Sequence, residues 1–149
     1  MVTDWAGGEP AAHVKDAAWA NLMEAARDAM SRAYAPYSGF PVGAAVLADD
    51  GAIFMGVNVE NASYPLAVCA ERTAVGTAVT AGARRLLAVA VASRGEPPAT
   101  PCGACRQVLA EFNPSLVVLV GGPSGPWTRY ALDQLLPHPF LHGGAAHAL

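Results

Sequence analysis

Leu86-Leu-Ala-Val-Ala-Val-Ala92 and Leu116-Val-Val-Leu-Val120 are the stretches on which the fold turns. Neither alternates apolar with polar residues, so each reads as a strand covered on both faces. Between them a loop rich in Gly and Pro, Arg94 to Pro101, leads into a helix from Cys102 to Phe112. Upstream, Val42-Gly-Ala-Ala-Val-Leu47 and Ala52-Ile-Phe-Met-Gly-Val57 flank Ala48-Asp49-Asp50-Gly51. Asp-Gly between two apolar runs signals an antiparallel hairpin. From Ala11 to Ala33 the apolar positions recur at helical spacing, and Ala35-Pro36-Tyr37-Ser38-Gly39 ends that helix. Asn58 to Val68 is a loop, and Cys69 to Ala81 a buried helix closed by Gly82. Trp127-Thr-Arg-Tyr130 reads as an edge strand and Ala131–Leu136 as a short helix stopped by Pro137. The order α-β-β-α-β-α-β-β-α describes an α/β protein with a single mixed five-stranded sheet and helices on its faces.

The 149 residues suit a single domain, residues 1-149, with residues 1-12 and 142-149 expected to be flexible ends. Hydrophobic residues make up 53% and charged ones 14%, which favours an oligomer because so little charge is available to cover a monomer. Only nine residues are Lys or Arg and the net charge is -3, so there is no cationic stripe for a phosphate backbone. No nucleic acid partner is expected. No run approaches the ~20 apolar residues that span a bilayer, and the first ten residues lack the basic start and apolar centre of a signal peptide. The expectation is a soluble, cytoplasmic protein without a membrane partner.

The cysteines number three, Cys69, Cys102 and Cys105, and an odd count makes no disulfide framework. Each cysteine segment follows a loop and opens a helix, where free N–H groups and the helix dipole favour thiolate. Cys102 and Cys105 stand one helical turn apart, so both can face one ion while Cys69 reaches it from the neighbouring helix. Three soft anionic ligands suit Zn²⁺, and catalytic zinc sites keep three protein ligands and a position for water. Glu71, two residues beyond Cys69, could exchange a proton with that water. Zinc with three thiolates carries a net charge of about -1, for which Arg72, Arg106 and the two helix ends are the available compensation.

Plainer readings compete with this one. A Cys-x-x-Cys pair is often a redox disulfide, and a lone buried cysteine is often a small hydrophobe. Glu71 and Arg72 alone would be charges at a helix start. A closed site of three cysteines and a histidine would be structural, with His13, His138, His142 and His147 as candidates.

Cys69-Ala-Glu71 followed by Pro101-Cys-Gly-Ala-Cys-Arg-Gln107 resembles the paired signature of the zinc-dependent nucleoside and base deaminases. Tyr34-Ala-Pro-Tyr-Ser-Gly-Phe-Pro-Val-Gly-Ala-Ala45, Asn58-Val-Glu-Asn-Ala-Ser-Tyr64 and Leu135-Leu-Pro-His-Pro-Phe140 narrow the likeness to the small homotetrameric cytidine deaminases. It runs from about the first helix to Phe140 and implies a cytidine deaminase-like fold. It further implies that Cys69, Cys102 and Cys105 bind one Zn²⁺ per subunit, with Glu71 as catalytic proton shuttle and Arg72 as thiolate partner. The substrate-binding residues implied are Phe40, which lines the nucleoside pocket, Asn58 and Glu60 at the ribose 3′-hydroxyl, and Ala70 at the pyrimidine edge. Phe140 is implied to reach a neighbouring subunit's site and stack on the base.

The reaction implied is hydrolytic deamination of cytidine and 2′-deoxycytidine to the uridines with release of ammonia, a step of pyrimidine salvage. Three other functions compete. A deaminase of the same fold resembling blasticidin-S deaminase is opposed by the complete Asn58-Val-Glu60 segment and the terminal phenylalanine. A zinc-stabilised binding module requires a fourth ligand. An RNA or DNA deaminase requires the basic surface that is missing.

Overall fold

The protein, seen here as a computed structural model, is described over residues 15–142, so all of the ends expected to be flexible except His142 lie outside the described residues. Its elements run α1 (Asp16–Met30), β1 (Val42–Ala48), β2 (Ile53–Val57), α2 (Ala70–Thr80), β3 (Leu86–Ser93), α3 (Gly103–Phe112), β4 (Val117–Gly121), β5 (Trp127–Ala131) and α4 (Leu132–Leu135). The five strands form one sheet in the order β2-β1-β3-β4-β5. The β3–β4 pair is parallel and the other pairs antiparallel, so the sheet is mixed. α3 is the crossover between the two parallel strands.

Central strands bury both faces, and their alternate residues feed two cores. On one side Val89 and Val91 of β3 and Val118 and Val120 of β4 pack with Ala70, Ala74 and Ala78 of α2, Leu109 of α3 and Leu132 of α4. On the other, Ala88, Ala90, Val117 and Leu119 meet Trp19, Leu22, Met23 and Ala26 of α1. The apolar runs are therefore uniform because two helical layers cover them. Two glycines let the layers come close. A Cβ at Gly43 would fall on the Ala26 carbonyl and the Met30 amide of α1, and one at Gly56 on the Ala70 carbonyl and Ala74 amide of α2. Glycine fits where another backbone approaches this closely.

Two expectations need correction. The first helix stops at Met30 rather than Ala33, because Tyr34 leaves it to pair with the 58–60 segment: its N–H donates to the Asn58 carbonyl and its carbonyl accepts from Glu60 N–H. The 58–68 loop contains a 3₁₀ turn, Tyr64–Leu66, with Pro65 pre-set in its first positions. In the β1–β2 hairpin the Asp50 carboxylate accepts from the Ala52 amide, and Gly51 takes a φ of 88°. No helix among the described residues is long and apolar enough to cross a membrane.

Candidate active site and metal centre

Both cysteine helices lie on the same face of the sheet and begin at the same end, where β3 finishes at Ser93 opposite the first residue of β1, Val42. Cys69 is the N-cap of α2 and Cys102 the N-cap of α3, both in extended backbone, so their side chains sit where helix N–H groups are unpaired. The Cys102 sulfur accepts from the Cys105 amide at 3.5 Å. It lies 3.8 Å from the Cys69 sulfur. All three sulfurs fall within 4.8 Å of one another. Three soft donors at two electropositive helix starts fit a zinc ion, and among the described residues nothing else joins them. His138 and His142 stand apart from the cluster, while His13 and His147 lie outside the described residues.

The electrostatics of the cluster are those of thiols sharing few protons. A hydrogen bond from Cys105, followed by the Arg72 guanidinium, brings the Cys69 thiol down to about 5 against the opposing effect of burial. Cys105 moves up, because it donates to Cys69 and because it is buried. Arg72 Nη2 stands 3.7 Å from the Cys69 sulfur. Arg106, offered by the sequence as a second compensating charge, has other partners: the Pro101 and Leu135 carbonyls at 2.7 and 2.8 Å and the Thr100 hydroxyl at 3.1 Å. It braces the α3 start.

Glu71 occupies the first turn of α2 and is 5% exposed. Burial raises its carboxyl above the ordinary carboxylate value, and the neighbouring Cys69 charge pushes the same way. A buried carboxyl beside the cluster is placed where it can exchange a proton with a group bound there.

The cavity beside the cluster, about 280 Å³, is lined by Phe40, Asn58, Glu60, Cys69, Ala70, Glu71 and Cys102, with Ser38, Val42, Val91, Ala99 and Thr100. Asn58 accepts from the Val42 amide at 2.8 Å and donates to the Phe40 carbonyl at 2.9 Å. Glu60 accepts from the amides of Tyr37 and Ser38 at 2.9 and 3.1 Å, and the Ser38 hydroxyl followed by these amides keeps its carboxyl below the ordinary value. Those bonds fix both side chains and still leave one Asn58 N–H and carboxylate lone pairs on Glu60. Phe140 does not line this cavity; it is 76% exposed, and its backbone is tied to Gln107. Sequence reasoning assigned no role to Ser38 and Thr100, which also line the cavity. Ser38 sits in a turn and Thr100 in a loop, where small hydroxyls are ordinary, so only their placement marks them.

Fold and cluster together define a zinc-binding deaminase domain, and the family model described as "Cytidine and deoxycytidylate deaminase zinc-binding region" matches residues 18–120. The chain belongs to that family. It is 48% identical over 128 residues to a cytidine deaminase of Sporosarcina psychrophila, covering 85% of this chain and 94% of the relative. It also resembles the crystal structure of cytidine deaminase from Burkholderia pseudomallei, with TM-score 0.78 and 48% identity over 81% of this chain and 98% of that one. Against the Mycobacterium tuberculosis cytidine deaminase structure the TM-score is 0.72 and the identity 44%, covering 82% of this chain and 96% of that one.

Proposed function

We propose that this protein hydrolyses cytidine and 2′-deoxycytidine to uridine and 2′-deoxyuridine with release of ammonia, a step of pyrimidine salvage in the cytoplasm. The observation that carries this reading is one cavity lined by Cys69 and Cys102 of the three-sulfur cluster, by a buried carboxyl and by a fixed amide–carboxylate pair.

Cys69, Cys102 and Cys105 would hold the zinc, which when bound supplies the Lewis acidity that makes water a nucleophile near neutral pH. Glu71 takes the proton from the attacking water and gives it to N3 of the cytosine ring as C4 becomes tetrahedral. It then carries the remaining hydroxyl proton to the exocyclic amine, which leaves as ammonia. Its place on the cavity wall, buried at the α2 start, suits both directions of transfer. Ala70, buried at the α2 start, presents backbone to the cavity for the pyrimidine edge, and Phe40 supplies an aromatic wall. Asn58 donates to the ribose 3′-hydroxyl while Glu60 accepts from it, the pairing their remaining capacity allows. Arg72 holds Cys69 as thiolate.

The exposed Phe140 ring, outside the cavity of its own chain, supports a homotetramer in which it reaches a neighbouring site and stacks on the base. A comparison of cytidine with free cytosine tests the ribose assignment. Efficiency on cytosine is expected to be lower by about 10²-fold or more, since the fixed Asn58 and Glu60 lose their partner. Equal efficiencies would overturn it.

A further inference from the structure

The backbone of Phe140 is held on both sides by one side chain. Gln107 Nε2 donates to the Phe140 carbonyl at 2.7 Å, and the Phe140 amide donates to Gln107 Oε1 at 3.0 Å. Two antiparallel bonds of this kind fix both the position and the rotation of a peptide, as a strand partner would. Yet the residue whose backbone is so fixed is 76% exposed. Ordering a segment costs conformational entropy, and here that order places an aromatic ring in the open rather than in a core.

Gln107 belongs to α3, the helix that begins at Cys102 and carries Cys105 in its first turn. Its neighbour Arg106 holds the Leu135 carbonyl at 2.8 Å. Consecutive side chains of the metal-bearing helix therefore grip the chain after β5 at two points, Leu135 and Phe140. The ring's location is thus set relative to the cysteine cluster through one rigid element.

We propose that Gln107 is a positioning residue: it fixes the Phe140 backbone so that the ring is presented at a set place to the substrate site of a second copy of the chain. This rests on the reading that Phe140 stacks on the base in a neighbouring site. Gln107 does not touch substrate; it acts through Phe140 and lowers KM.

The test compares wild type, Gln107→Ala, Phe140→Ala and the double variant by steady-state kinetics on cytidine, with zinc content and solution mass measured for each. Phe140→Ala is expected to raise KM about tenfold, the order of magnitude of losing one base–aromatic stack. Gln107→Ala is expected to raise KM about three- to tenfold, with kcat and zinc content within about twofold of wild type. In the Phe140→Ala background it should add less than about twofold, because the ring it positions is gone. Gln107→Glu keeps the acceptor for the Phe140 amide and loses the donor to its carbonyl, so its KM should also rise; this nearly isosteric variant serves if the alanine variant does not fold. If Phe140→Ala raises KM and neither Gln107 variant does, the inference fails while the reading of Phe140 stands. A Gln107→Ala effect undiminished in the double variant, or one that appears as lost zinc or lost kcat, also overturns it. If Phe140→Ala leaves KM unchanged, the reading of Phe140 fails and the positioning role goes with it.

Discussion

Glu71 bears two opposed demands, and each can be measured. Its carboxyl is buried at the start of α2, and that burial raises its pKa. Between the ordinary and the raised value the folded chain holds a proton that the unfolded chain has released, so this group makes stability fall as pH rises through that window. At any pH above the ordinary carboxylate value, keeping this carboxyl buried opposes folding of the metal-free chain. Glu71→Gln keeps the shape and removes the charge, so zinc-free Glu71→Gln should melt above zinc-free wild type at pH 7, by about 2–4 °C for each kcal/mol gained. A lower melting temperature would contradict the direction of the shift. Zinc affinity, unlike the stability of the metal-free chain, should gain from rising pH. A zinc ion held by the three cysteines would need Cys105 as thiolate, yet its thiol is held up by Cys69 and by burial, so apparent zinc affinity should rise with pH. Arg72→Ala removes the guanidinium beside Cys69 and should weaken zinc binding about 10- to 100-fold in competition with a chromophoric chelator. At this scale the sequence was legible where chemistry is rare: three cysteines and a neighbouring carboxylate have few other uses. The ribose role proposed for Asn58 and Glu60 comes only from resemblance, because a loop amide and a loop carboxylate are common. Their fixed geometry comes from the amides of Tyr37, Ser38 and Val42, contacts made across the fold.

The two glycines that let helices approach the sheet separate stability from function at the level of elements. Gly43 faces α1, whose opposite side bears nothing of the site, whereas Gly56 faces α2, which carries Cys69 at its cap and Glu71 in its first turn. Alanine at either position meets helix backbone, which cannot yield as a flexible side chain could, and overpacking of this kind costs roughly 1–3 kcal/mol or more. Both Gly43→Ala and Gly56→Ala should therefore lower the melting temperature. Only Gly56→Ala should also lower zinc affinity and kcat severalfold, because it displaces the helix that aims the site. Equal kinetic losses in the two variants would contradict that division. The strands, the hairpin and both cysteine helices were readable from apolar runs, the Asp50-Gly51 turn and the Gly82 stop. The end of α1 and the Tyr64–Leu66 turn were not, since both depend on Tyr34 and Val68 pairing with Val59, which no local pattern encodes.

Across the whole molecule, the low charge and the uniform apolar runs receive one explanation from the mixed sheet. Helices on both faces absorb the apolar strands, and the large apolar residues left exposed among the described residues fall in Tyr34–Phe40, on β2 at Ile53 and Met55, in Val59–Val68 and at Phe140. A sequence states how much apolar surface there is but not where it collects, so strand order and this grouping needed the fold. On the proposed function, zinc and Glu71 act together on cytidine. The most direct test measures uridine and ammonia formed from cytidine by wild type as purified, after zinc removal and after zinc return, beside Glu71→Gln with its zinc content determined. Turnover should vanish with the metal and return with it, while Glu71→Gln keeps zinc and loses about 10²–10⁴-fold in kcat. Undiminished turnover by zinc-free protein, or by zinc-loaded Glu71→Gln, would contradict the account.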